Sequence, residues 1–125
     1  MARSRDIFIR YADGESEVVR AIGEIVGQAL TRKDTDGRPV YFCRVFDVDF
    51  TLVGDHGIVD DCGIEFTRYQ YELMVDALGV RIQIAGYNTM YEGMTTFLTE
   101  RLSVVLQCET LLVENLQHEV AVFRP

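Results

Sequence analysis

The chain has 125 residues, 48% of them apolar, and a formal net charge of −8. That length and composition suffice for one ordinary hydrophobic core without disulfide or metal staples, so a single domain over residues 1–125 is expected. The acidic balance excludes DNA, RNA or an anionic membrane as the main partner, and no apolar run approaches the length that spans a bilayer.

Residues 1–14, MARSRDIFIRYADG, carry basic residues but no apolar h-region, so no secretory signal is expected. Cys43, Cys62 and Cys108 lie far apart with no C-x-x-C spacing, which fits reduced cytoplasmic thiols better than a disulfide framework. Lys33 is the only lysine beside eleven arginines, a bias that fits a GC-rich bacterial genome more than a function.

In chain order, Ile7, Ile9 and Tyr11 alternate as in a short strand. SEVVRAIGEIVGQALTR follows as a helix, its stripe formed by Val18, Ile22, Ile25, Val26, Ala29 and Leu30, with Ser16 as N-cap. KDTDGRP reads as a loop closed by Pro39. From Val40 to Val53 the period falls to two. Phe46, Val48, Phe50 and Leu52 define the buried face of one strand, which turns at GDHG and returns as IVDDCGIEF. YQYELMV (69–75) fits a strand or a helix; the alternation of Tyr69, Tyr71, Leu73 and Val75 favours a strand, followed by a DALG turn and VRIQI. YNTMYEGMTTFLTERLSVVLQ is the second helix, capped at Asn88 or Thr89, and LLVE and HEVAVF close the chain as a hairpin. The order β-α-β-β-β-β-α-β-β predicts an α+β fold, two helices packed on one face of a largely antiparallel sheet.

The acid is concentrated. Residues 34 to 65 hold eight carboxylates against Arg38 and Arg44, a net −6. A hairpin turning at Asp55–His56 would set Asp47, Asp49, Asp60 and Cys62 on one face, and Asp61 toward the apolar side beside Phe50, a conflict that predicts a bulge at Asp60–Asp61. Carboxylates suit Mg²⁺, Ca²⁺ or Mn²⁺, and the candidate ligands are Asp47, Asp49, His56 and Asp60. Yet no spacing matches an EF-hand, an H-E-x-x-H helix or a zinc ribbon, so neither a metal nor a cofactor is expected.

A nucleophile is not expected either, because neighbouring Asp60 and Asp61 disfavour a Cys62 thiolate, while Cys43 and Cys108 sit in apolar strings. No phosphate-binding or hydrolase motif occurs, so the expectation is a non-enzyme. The leading reading is a small binding module whose surface, Asp47, Asp49, Asp55, Asp60 and Asp61, holds a basic protein partner, for example as an inhibitor or immunity-type protein that neutralises a nuclease toxin. A small enzyme or metal-binding domain working on the hairpin 47–62 is the second reading. A structural homodimer, with Tyr69, Tyr71, Tyr87 and Tyr91 as interface aromatics, is the third.

Overall fold

Alternation decides which side of the sheet is covered. The structure, a computed structural model, describes residues 4–77 and 86–125. Seven strands, β1 (Ser4–Arg10), β2 (Thr31–Thr35), β3 (Arg38–Val45), β4 (Val48–Gly54), β5 (Tyr71–Ala77), β6 (Glu109–Glu114) and β7 (His118–Phe123), form one sheet in the order β2-β3-β4-β5-β1-β6-β7. Every neighbouring pair is antiparallel. Ile7 and Ile9 of β1, Phe50 and Leu52 of β4, and Leu73 and Val75 of β5 point to one face. There they meet Val18 and Ile22 of α1 (Glu15–Val26) and Tyr91, Leu98 and Leu102 of α2 (Tyr87–Leu106). The expected α+β class and element order both hold.

The strand boundaries are different. KDTDGRP is a hairpin, because Asp36 and Gly37 adopt left-handed conformations (φ 53° and 76°) that match the twist of the flanking strands. The single strand expected over 40–53 is two strands, β3 and β4, reversing at Phe46 and Asp47 (φ 51° and 58°). Phe46 therefore stands in solvent instead of lining the core, whereas Val48, Phe50 and Leu52 are buried as expected. IVDDCGIEF is not a strand. Positive φ at Asp55, Gly57, Cys62 and Gly63 bends the segment, leaving one isolated pairing of Asp61 with Ile64 and a short 3₁₀ turn at Phe66–Arg68. Residues 71–77 are a strand, as preferred, while the VRIQI strand lies outside the described residues.

Helix ends also depart from expectation. The caps are Gly14 and Gly86, not Ser16, Asn88 or Thr89, and α1 stops at Val26 because Gly27 takes the left-handed conformation and donates to the Gly23 carbonyl (2.9 Å). A Cβ on Gly23 would lie 3.3 Å from the Gln28 carbonyl oxygen, so glycine lets the departing chain fold back over the helix end.

The other face of the sheet is partly covered as well. Phe8, Leu111 and Val113 point away from the helices and are buried beneath Ile64, Phe66 and Tyr69, from the segment joining β4 to β5. Arg5 ties three elements together: its guanidinium donates to Glu114 of β6 (3.1 Å) and to the Thr95 hydroxyl of α2 (3.1 Å), while its backbone N–H donates to the Tyr91 hydroxyl (3.0 Å).

Candidate functional site

The five acids do not form one patch. Asp47 and Asp49 sit at the start of β4, and Asp55, Asp60 and Asp61 lie beyond its far end. Seven strand residues separate the groups by roughly 20 Å. Asp49 is bound by Arg44 across the β3–β4 pair (2.5 Å), and Asp47 adds to the field on the same guanidinium. The expected pairing of Asp49 with Cys62 and of Thr51 with Asp60 does not exist, because β4 pairs with β3 and β5 instead. Asp61 does not reach Phe50 either; its carboxylate accepts the Cys62 N–H (2.8 Å).

The segment 55–70 behaves as a unit. Its ends meet where the Asp55 N–H donates to the Gln70 carbonyl (3.2 Å), which makes it an Ω-loop packed by its own side chains. Four devices hold it down. Ile64 and Phe66 insert over Phe8, with the Phe8 and Phe66 rings 4.9 Å apart. The Asp60 carboxylate accepts from both the Thr67 N–H (2.9 Å) and the Thr67 hydroxyl (2.8 Å), and these donors, the backbone one first, hold its pKa below the usual range. The Asp61–Ile64 pairing closes a tight turn.

His56 is the fourth. Its Nδ1 accepts the Ile58 N–H (3.0 Å), and its Nε2 lies 2.9 Å from the Tyr69 carbonyl oxygen. A carbonyl can only accept, so Nε2 carries the proton. Both ring nitrogens are thus committed to backbone, and the ring packs edge-on against Phe8. His56 is a structural pin, far from Asp47 and Asp49, so the set Asp47, Asp49, His56 and Asp60 does not converge. Among the described residues no three His, Cys, Asp or Glu groups come close enough to hold a metal ion.

An open cleft of about 810 Å³ lies beside this loop, walled by Tyr71, Ile58 and Val59 and rimmed by Glu15, Asp55 and Arg38. Arg38 reaches over to donate to the Asp55 carbonyl, anchoring the rim. Glu15 also accepts from the Tyr41 hydroxyl, a bond that raises the tyrosine's pKa, and burial followed by the Glu15 charge does the same to Tyr71. An aromatic wall flanked by two carboxylates is a chemistry that takes a guanidinium or ammonium group.

The remaining tyrosines separate into core and surface. Tyr91 is fully buried, its hydroxyl donating to the Val75 carbonyl (2.6 Å). Tyr69 is buried and donates to Glu109 (2.5 Å). As core residues neither serves as an interface aromatic. Of the four expected interface aromatics, Tyr71, in the cleft, and Tyr87, whose hydroxyl donates to the Phe46 carbonyl (3.3 Å), keep exposed surface.

One pair escaped the sequence reading. Asp6 on β1 and Glu72 on β5 are 4% and 5% exposed and sit diagonally across the sheet on the face away from the helices. Glu72 is pushed up to about 9, first by burial, then by its hydrogen bond with Asp6 and by the charges of Asp6 and Asp76. Burial beside a second carboxyl thus favours the protonated, neutral form of Glu72.

Compared with protein-family models, curated proteins and solved structures, the chain matches none.

Proposed function

We propose that this protein is a non-catalytic binding module whose acidic Ω-loop, residues 55–70, and adjoining cleft hold a basic segment of a partner protein. The observation that carries this reading is the loop itself. It is held in one shape by His56, Asp60, Ile64 and Phe66, while Asp55, Asp61 and Glu65 remain exposed at its surface. Among the described residues Glu65 is the one of these three carboxylates in an ion pair, with Arg68 at 4.0 Å, while the Arg38 guanidinium beside Asp55 is held by the Asp55 backbone carbonyl. A pre-shaped acidic surface loses little entropy on binding, and its field speeds the encounter with a basic partner. The recognition surface is thus narrower than the five acids expected from sequence: Asp47 and Asp49 answer Arg44, and Asp60 holds the loop. The most concrete form of this function is an inhibitor that occludes a basic active site, such as an immunity-type protein against a nuclease toxin.

The test uses a defined probe, an octa-arginine peptide, followed by calorimetry in low and high salt. Micromolar binding that weakens steeply with salt is expected, and Asp55→Asn, Asp61→Asn and Glu65→Gln together should reduce it at least tenfold with the fold intact. Equal binding by the triple variant, or no binding at low salt, overturns the proposal.

A further inference from the structure

Helix α2 carries apolar side chains on both of its faces. Tyr91, Leu98 and Leu102 are in the core, as an amphipathic helix requires. The outward stripe should then be polar, yet it holds Met90, Phe97 and Val104, spaced seven apart, with Val105 alongside. Phe97 is 56% exposed, and the other three are each nearly half exposed. A seven-residue apolar repeat supplies one of the two positions along which paired helices meet, and Met94 supplies the other in the first turns. The outward face of α1 does not repeat it; that face shows Glu17, Arg20 and Glu24. The helix whose pattern fits this stripe is α2 of a second copy.

We infer that the protein self-associates through α2, packed antiparallel on α2 of an identical chain about a two-fold axis at Phe97. Antiparallel packing follows from the two charges that flank the seam, Glu100 and Arg101. In a parallel, in-register pair the two Arg101 side chains would stand level with each other. About Phe97 they separate by roughly 12 Å, at 1.5 Å of rise per residue. Each Arg101 then lies opposite Gly93, where a Cβ would meet nothing within 4 Å, so the missing side chain leaves a slot for the arginine stem. Met90 falls opposite Val104, and Phe97 opposite Phe97.

Phe46 completes the surface. It is 86% exposed at the tip of the β3–β4 hairpin, in a left-handed conformation that bulky residues rarely adopt. Because Tyr87 holds the Phe46 carbonyl, the tip stands beside the first turn of α2. Antiparallel pairing brings that turn level with the far end of the second helix, at Val104 and Val105. Taking roughly 200 Å² for a whole phenylalanine side chain and somewhat less for methionine and valine, the five side chains offer about 500 Å² per copy. A standard stable interface takes roughly 800 Å² per partner, so with the flanking Met94 and Arg101 stems the pair is a weak, concentration-dependent dimer.

Sedimentation equilibrium of the full chain tests this. The mass should approach that of two chains at about 500 µM and of one chain at about 5 µM, by mass action. Phe97→Glu should keep the mass monomeric throughout, and Phe97→Ala, which adds no charge beside Glu92 and Glu100, should weaken the dimer as well. Gly93→Gln fills the slot with a good helix former, so it should raise the midpoint while weakening the dimer. In a Cys62→Ser background, Met90→Cys and Val104→Cys chains should cross-link when mixed and neither should do so alone. A monomer at every concentration, a dimer indifferent to Phe97→Glu and Gly93→Gln, or cross-linking of Met90→Cys to itself overturns the inference. Octa-arginine binding should survive Phe97→Glu, which separates this interface from the acidic loop.

Discussion

Replacing Glu72 by glutamine should stabilise the protein, and increasingly so as pH rises. Glu72 has its pKa raised from 4.5 to about 9 in the fold, so the folded chain binds that proton more tightly than the unfolded chain. Its contribution is therefore fully present below pH about 4.5 and is lost progressively as pH climbs through about 9. One pH unit within that window costs about 1.4 kcal/mol, which sets a ceiling of about 3.5 kcal/mol at pH 7. Coupling of Glu72 to its neighbouring carboxyl lowers the real figure, to roughly 1–3 kcal/mol. Glutamine reproduces the protonated state, because its amide N–H can donate to the Asp6 carboxylate and it carries no charge to desolvate. Urea titrations of wild type and Glu72→Gln at pH 5, 7 and 8.5 measure the difference directly, and titrating groups remote from Glu72 cancel between the two proteins. Near pH 5 the two should be almost equally stable; at pH 7 the variant should lead by that 1–3 kcal/mol, and at pH 8.5 by more. A variant no more stable than wild type at pH 8.5, or a gap that narrows with rising pH, would refute the raised pKa of Glu72.

Three other outcomes follow from the packing. Tyr91→Phe removes a hydroxyl that donates to Val75 and accepts from Arg5 inside the core, so denaturant unfolding should show a loss of about 1–3 kcal/mol, large for a single oxygen. Asp60→Ala should lower the thermal midpoint and speed hydrogen exchange at Thr67, whereas Asp61→Asn should leave that amide protected. A maleimide reagent should label Cys62 alone in the folded protein, because Cys43 and Cys108 are buried and burial pushes the Cys108 thiol up to about 11; three rapid equivalents without denaturant would contradict the placement of both.

What could be read from the sequence was whatever depended on one period at a time. The stripe Val18 and Ile22 placed α1, and the alternation of Val48, Phe50 and Leu52 placed one face of β4, because each pattern repeats without interruption. Reversals were harder. Asp36–Gly37 is the commonest composition for a tight hairpin, but Thr31–Thr35 beside it is exposed throughout and shows no apolar alternation to mark a strand. Phe46–Asp47 makes the same kind of turn with residues that seldom adopt it, so an alternating string ran straight through a chain reversal. Ile58 and Ile64 mimicked a strand because both are needed, though to pin a loop and not to fill a pleat.

The carboxyl pair was hidden for a related reason, and the reason shows where chemistry accumulates in this fold. Glu72 alternates with Tyr71 and Leu73 as a solvent-facing strand residue should, and nothing local says otherwise. The outer face of a sheet with helices on one side is normally wet. Here Ile64 and Phe66 of the Ω-loop roof part of that face over Phe8, the cross-strand partner of Glu72. A loop that arrives from sixteen residues of irregular chain thus creates two environments at once: an exposed acidic rim at Asp55 and Asp61, and a second core layer bordered by the buried carboxyls of Asp6 and Glu72. Loosening the loop should therefore lower the pKa of Glu72 by letting water in, as well as blunt recognition at the rim. Asp60→Ala joins the two: its stability gap to Asp60→Ala with Glu72→Gln should vary less with pH than the gap between wild type and Glu72→Gln. An equal pH dependence in both pairs would mean that the roof over Phe8 and the burial of Glu72 are independent.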